Sequence, residues 1–141
     1  MRELGQDDVV GVRAVLADWL DDDVVEEKVP TLLATPHFVA ELGGVVVGVS
    51  GLAFADGTAE ILTTYVARAV RGSGVGTALV DHVESVAIGS GCTSLVVVSG
   101  ARNREFGYAF WRRRYGEHAQ WDDDYFGAGA ERVIWRAKLP R

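Results

Sequence analysis

From Tyr65 to Leu79 the chain runs Tyr-Val-Ala-Arg-Ala-Val-Arg-Gly-Ser-Gly-Val-Gly-Thr-Ala-Leu. A β-prone segment leads into an arginine, three glycines at alternate positions, and the start of an amphipathic helix. Glycine tolerates positive φ and, lacking Cβ, lets main-chain N–H groups approach a ligand closely. A helix that begins in such a turn aims its unpaired N–H groups and the positive end of its dipole at one point. Arg71 adds a guanidinium suited to forked contacts with phosphate oxygens. The segment reads as a diphosphate cradle built from backbone, on a strand–turn–helix unit.

Two common phosphate motifs are absent. The nucleoside-triphosphate loop needs a Gly-Lys pair, and the chain has none. The dinucleotide pattern Gly-x-Gly-x-x-Gly/Ala fails from Gly72, where its last position is Thr77, and from Gly74, where it is Leu79. No acidic residue follows the apolar run Leu95–Val98 to hold a ribose, which weighs against a nucleotide-dependent oxidoreductase. What remains is Arg-x-x-Gly-x-Gly, here Arg71-Gly72-Ser73-Gly74-Val75-Gly76. This segment, with its preceding strand and following helix, resembles the acyl-coenzyme A motif of the GNAT superfamily of N-acetyltransferases.

The 141 residues are expected to form one domain, 1–141, with 48% apolar content sufficient for a core. The N-terminal segment lacks the apolar stretch of a signal peptide, and no run reaches membrane-spanning length. A single cysteine, Cys92, leaves no internal disulfide and fits a reducing cytoplasm, where it reads as structural. A net charge of −6 argues against nucleic acid as the main partner. It suits a cationic acceptor, and equally an ordinary soluble enzyme. His37, His82 and His118 show no metal-ligand spacing, so no metal is expected, and His82 reads as a surface residue.

Apolar spacing predicts a helix over 8–20, capped by Asp7 or Asp8, and a shorter one over 24–33 that ends near Pro36. Residues 37–42 and 45–54 read as a hairpin turned by Gly43-Gly44. Ala55-Asp56-Gly57 turns into a third strand over 59–66. A helix follows over 74–90, a buried strand over 95–98, a helix over 103–115 and a closing strand over 131–139. The order gives a mixed α/β fold, a central and mostly antiparallel sheet flanked by helices. It is similar to the GNAT arrangement over nearly the whole chain, with a short first strand at Met1–Leu4.

The resemblance implies acetyl-CoA as cofactor. The backbone of Tyr65 and Val66 would bind its pantetheine arm, and Arg71, Gly72, Ser73, Gly74, Val75, Gly76 and Thr77 its diphosphate. Asn103 would supply a second cofactor contact, and Phe110-Trp111 stands where the family carries an aromatic pair, often Phe-Tyr. The spacing from Asn103 to that pair is one residue longer than the common pattern. Trp111 replaces the tyrosine held to protonate the departing thiolate, and an indole N–H is no acid near neutral pH. Tyr108 and Tyr115 share its helical face and can stand in, Tyr108 being nearer Asn103; both can equally be packed aromatics.

Glu60, six residues before Val66, matches the base glutamate of the histone-acetylating branch, unless it is a solvated residue at a strand start. The expected chemistry is direct attack of a primary amine, on a small molecule or a peptide, on acetyl-CoA. A coenzyme A-binding sensor or interaction module without turnover is the alternative. Trp19 to Asp23, Glu26-Glu27 and Trp121 to Phe126 place aromatics beside carboxylates, which suits a cationic amine or simply makes two solvated acidic loops. The oligomeric state, a homodimer included, is left open.

Overall fold

The computed structural model describes residues 1–100, 107–116, 120–122 and 132–140. Among them seven strands form one sheet in the order β1-β2-β3-β4-β5-β7-β6. Their bounds are β1 Arg2–Glu3, β2 His37–Leu42, β3 Val45–Ala55, β4 Thr58–Val66, β5 Ser94–Gly100, β6 Gln120–Asp122 and β7 Arg132–Lys138. The helices are α1 Val9–Ala17, α2 Asp22–Ala34, α3 Val75–Gly89 and α4 Ala109–Tyr115. Only β4 and β5 pair in parallel among the described residues, since α3 carries the chain across between them. The hairpin turn falls on Gly43-Gly44, both at positive φ, as the sequence demands.

Period-two alternation divides the core between the two faces. Phe38, Leu52, Ala59, Ile61, Leu95 and Val97 pack with Val80, Val83 and Ala87 of α3 and Trp111 of α4. On the opposite face Val39 and Val49 meet Val12 and Leu16 of α1 and Val25 and Leu32 of α2. Each such fully buried side chain contributes about 1.5–3 kcal/mol. Cys92 lies buried in the first cluster.

An ion cluster ties α4 to α3. The Arg114 side chain is only 8% exposed, and its Nε donates to Glu84 Oε1 at 3.0 Å and its Nη2 to Asp81 at 2.6 Å. Burial opposes the guanidinium charge, but these carboxylates outweigh it and hold the pKa above its ordinary value. Trp135 donates from Nε1 to Gly116 O at 3.2 Å, fixing the far end of α4.

Several elements differ from the sequence reading. The second helix starts at Asp22, two residues early, and runs through Pro30. Asp21 to Asp23, read as an acidic loop, open this helix, where negative charge complements the dipole. Glu26 is paired with Arg13. Asp8 does not cap α1; its carboxylate takes the Gly5 N–H at 2.7 Å and the Arg2 guanidinium, which depresses its pKa. His82 is half-buried and sets its ring edgewise on Phe38 at 5.1 Å. Trp121 and Asp122 lie in the short strand β6, which alternation over three residues could not reveal. Asp123 to Phe126, and Asn103, lie outside the described residues, and α4 is described from Ala109 after a π turn at Gly107-Tyr108.

Candidate active site

The site begins with a flaw in the pairing of β4. Val49 pairs with Tyr65 and Gly51 with Leu62, so two steps along β3 span three along β4. The extra residue is a bulge at Thr63, whose φ of +45° is a strained setting for a β-branched side chain. The neighbouring Thr64 hydroxyl anchors the bulge by bonding the fully buried Ser50 Oγ at 2.8 Å. On its other edge β4 pairs with β5 only from Thr58↔Ser94 to Ile61↔Val97. Both strands continue beyond that point, β4 to Val66 and β5 to Gly100, which stays paired with Arg132 of β7. The sheet therefore opens between them.

In this opening the ladder sets which backbone groups are exposed. Ala67 N–H donates to Val47 O at 2.8 Å while Gly48 and Val66 are register partners. Gly48↔Val66 is therefore a non-hydrogen-bonded pair, and the N–H and C=O of Val66 point away from β3 into the gap. The same alternation turns Tyr65 toward Val49 and Thr64 toward the gap. The backbone of Val66 is thus turned to the gap, whereas that of Tyr65, named beside it in the sequence reading, is turned to β3.

The gap leads into a cleft of about 550 Å³ that the start of α3 closes. Tyr65, Val66, Arg71, Gly72, Gly74, Val75, Gly76 and Thr77 all line it. Gly72 and Gly74 have φ of +81° and +89°, the left-handed settings that select glycine. A Cβ on either would meet nothing within 4 Å among the described residues. The first bond inside α3 runs from Ala78 N–H to Gly74 O at 3.0 Å. No side chain caps the helix, and its earlier N–H groups face the cleft mouth without intrahelical partners. Ser73 is the exception among the turn residues: its N–H and hydroxyl both donate to Val70 O, and it does not line the cleft.

Phe110 and Trp111 form the opposite wall, with Arg113 beside them. Sequence reasoning singled out the aromatic pair but missed Thr64, Val70 and Arg113. The spacing of Arg113, three residues after Phe110 on one helix, was the signal that places both on one face. Trp19, between α1 and α2, reaches the cleft as well. One face of its ring is taken by the Arg68 guanidinium at 4.2 Å, so that face does not hold a cationic amine.

The two tyrosines part company. Tyr115 stacks on Trp111 at 6.0 Å and donates its hydroxyl to Glu84 Oε1 at 2.5 Å. Burial and the Glu84 carboxylate push its phenol well above the ordinary value, making it a poorer acid. Tyr108 packs its ring on Trp135 at 5.6 Å, between Gly107 and Ala109, which line the cleft. Glu60 lies on β4 before the bulge, paired with Ala53 and Val96, and is half-buried. Four strand residues, about 13 Å at the usual rise, separate it from Thr64.

The comparisons with known proteins agree with this geometry. The model of the Acetyltransferase (GNAT) family matches residues 12–116. No curated protein sequence matches significantly. Among solved structures, a GNAT-family protein from Desulfovibrio desulfuricans superposes with a TM-score of 0.82 at 20% identity, over 97% of this chain and 96% of its own. An aminoglycoside 6'-N-acetyltransferase complexed with coenzyme A gives 0.79 at 15% identity, over 99% and 97%. The ribosomal-protein-S18-alanine N-acetyltransferase of Escherichia coli gives 0.76 at 14%, over 99% and 92%. At these identities the structures establish a shared fold, and the family model, spanning most of the chain, establishes the kinship: this chain belongs to the GNAT family of acetyltransferases.

Proposed function

We propose that acetyl-CoA occupies the cleft lined by the end of β4, the glycine turn, the start of α3 and α4, and that a primary amine, on a small molecule or a peptide, accepts its acetyl group by direct attack. The observation that carries this reading is the convergence in one cleft of unpaired α3 N–H groups, Arg71, and the open edge of β4. The space beside Gly72 and Gly74 fits an anion held by main chain, and the edge of β4 at Val66, beyond its pairing with β5, fits an extended amide-bearing arm. Acetyl-CoA supplies an activated acyl group as a thioester, so no covalent enzyme intermediate is required.

The N–H groups of the turn and the first residues of α3, with Arg71, hold the diphosphate. Val66 and Thr64 offer backbone groups to the pantetheine arm. Phe110 and Trp111 exclude water from the wall opposite. Glu60 takes the proton of the attacking amine through a water chain, since its distance along the strand forbids direct contact. Tyr108, set between the cleft-lining Gly107 and Ala109, is the phenol assigned to the departing thiolate, whereas the Tyr115 hydroxyl donates to Glu84. Asn103 retains the cofactor contact that the family resemblance implies.

The decisive experiment is calorimetry with acetyl-CoA and, in parallel, NAD. Acetyl-CoA should bind and raise the melting temperature while NAD does neither. Arg71→Ala should weaken acetyl-CoA by about ten- to hundredfold, the loss expected for charge-assisted hydrogen bonds. Thiol release across a panel of amines then identifies the acceptor. In that assay Glu60→Gln should lower kcat and alter the pH–rate profile at unchanged cofactor affinity, and Tyr108→Phe should lower kcat alone. An unaltered profile or kcat removes the residue concerned from the mechanism.

A further inference from the structure

Trp19 holds a group that the proposed cofactor needs. Its indole Nε1 donates to Val66 O at 2.7 Å, across 47 residues of sequence. That carbonyl is one of the groups β4 turns into the gap, and the ring itself lines the cleft. The contact is reinforced. Arg68 lies over the ring at 4.2 Å, its N–H donates to Asp18 Oδ2 at 2.8 Å, and its Nη2 donates to Asp18 O at 2.5 Å. Arg71, from the phosphate cradle, stands 5.9 Å from the same ring. The connection between α1 and α2 is thus fastened to the cofactor strand by an indole, a guanidinium and a carboxylate.

We propose that the Trp19 indole and the pantetheine arm compete for the Val66 carbonyl, so that cofactor binding withdraws Trp19 from β4 and releases the α1–α2 connection. Trp19 is a positioning residue, coupling occupation of the cofactor cleft to the placement of that connection. A carbonyl has two lone pairs, but the indole ring lies in the cleft wall where the arm must run, so the exclusion is steric as well as polar. This inference rests on the acetyl-CoA reading above.

The test compares coenzyme A with 3',5'-ADP, which carries phosphates but no pantetheine arm, on the wild type and on Trp19→Phe. The phenyl ring keeps the stack beneath Arg68 and cannot donate to Val66. Coenzyme A should bind the variant about two- to tenfold more tightly, the range of one hydrogen bond, while 3',5'-ADP affinity stays the same. Tryptophan emission of the wild type should change more with coenzyme A than with 3',5'-ADP, and in the variant, which keeps Trp111 in the cleft wall, that difference should shrink. Equal or weaker coenzyme A binding by the variant, or equal shifts for both ligands, overturns the competition. A wild type that binds coenzyme A normally beside an unaltered variant ends this inference alone. A wild type that binds neither ligand ends the cofactor reading and this inference with it.

Discussion

From Thr58 to Ile61, β4 is bonded on both edges, to β3 and to β5; from Leu62 to Val66 it pairs, among the described residues, with β3 alone. The first half has Ala59 and Ile61 buried under α3 and carries the fold. The second half contains a strained threonine, exposes backbone groups to a cleft, and leads directly into the glycine turn. One strand therefore serves as core and as ligand edge, divided by a single extra residue at Thr63. The comparison teaches that the site is made by withholding pairing rather than by adding side chains. Backbone donors that a closed sheet would consume are left for a ligand.

The contrast is most exposed to a core substitution in the closed half. Leu95→Ala, at a position 1% exposed that pairs with Ala59, should lower stability by about 2–5 kcal/mol. Denaturant titration measures this, and the folded fraction should still bind acetyl-CoA with parental affinity. At the boundary, the His37 ring lies over Gly51, where an added Cβ would stand 2.5 Å from Nε2. Gly51→Ala should cost about 1–3 kcal/mol by overpacking, read in the same titration.

In the open half the balance reverses. Thr64→Val strips the buried Ser50 hydroxyl of its partner at 2.8 Å and should cost only about 1 kcal/mol of stability. Because it frees the bulge that aims the cleft edge, kcat/KM should fall by about tenfold or more. Equal losses of stability and activity across these variants would erase the division of β4.

The smallest effect is a pH slope. Burial lowers the pKa of His37 below its ordinary value, and the positive charge of Lys28 adds to this against the Thr35 carbonyl bond. The folded state thus binds this proton less readily than the unfolded chain. Stability from His37 is complete above about pH 6.5 and declines as pH falls below it. Unfolding midpoints at pH 7.5 and 5.5 should differ for the parent and differ less for His37→Gln. The Asp8 carboxylate, with its depressed pKa, adds a separate decline nearer the ordinary carboxylate range, as it loses Arg2.

Much of this was legible in the chain. The Gly43-Gly44 hairpin, the Asp56-Gly57 turn and the α3 stripe follow from positive-φ demands and from apolar periods of two and 3.6, which act within a few residues. The glycine turn ahead of α3 was legible for the same reason: Gly72 and Gly74 announce backbone settings that other residues resist. The resemblance named Tyr65 and Val66 together and could not say which of their backbone groups faces the gap, because that depends on the partner strand and on a bulge set by Ser50 and Thr64.

By itself, then, the sequence determined the elements, their approximate order and a glycine turn ahead of α3, since these are local consequences of side-chain shape and glycine freedom. Only the tertiary structure decided that β4 and β5 separate after Ile61 and Val97, that Tyr115 is bound to Glu84, and that Trp19 reaches the Val66 carbonyl. Those outcomes depend on contacts between residues 30 to 50 positions apart, and no short-range pattern in the chain encodes which of several compatible partners such residues will meet.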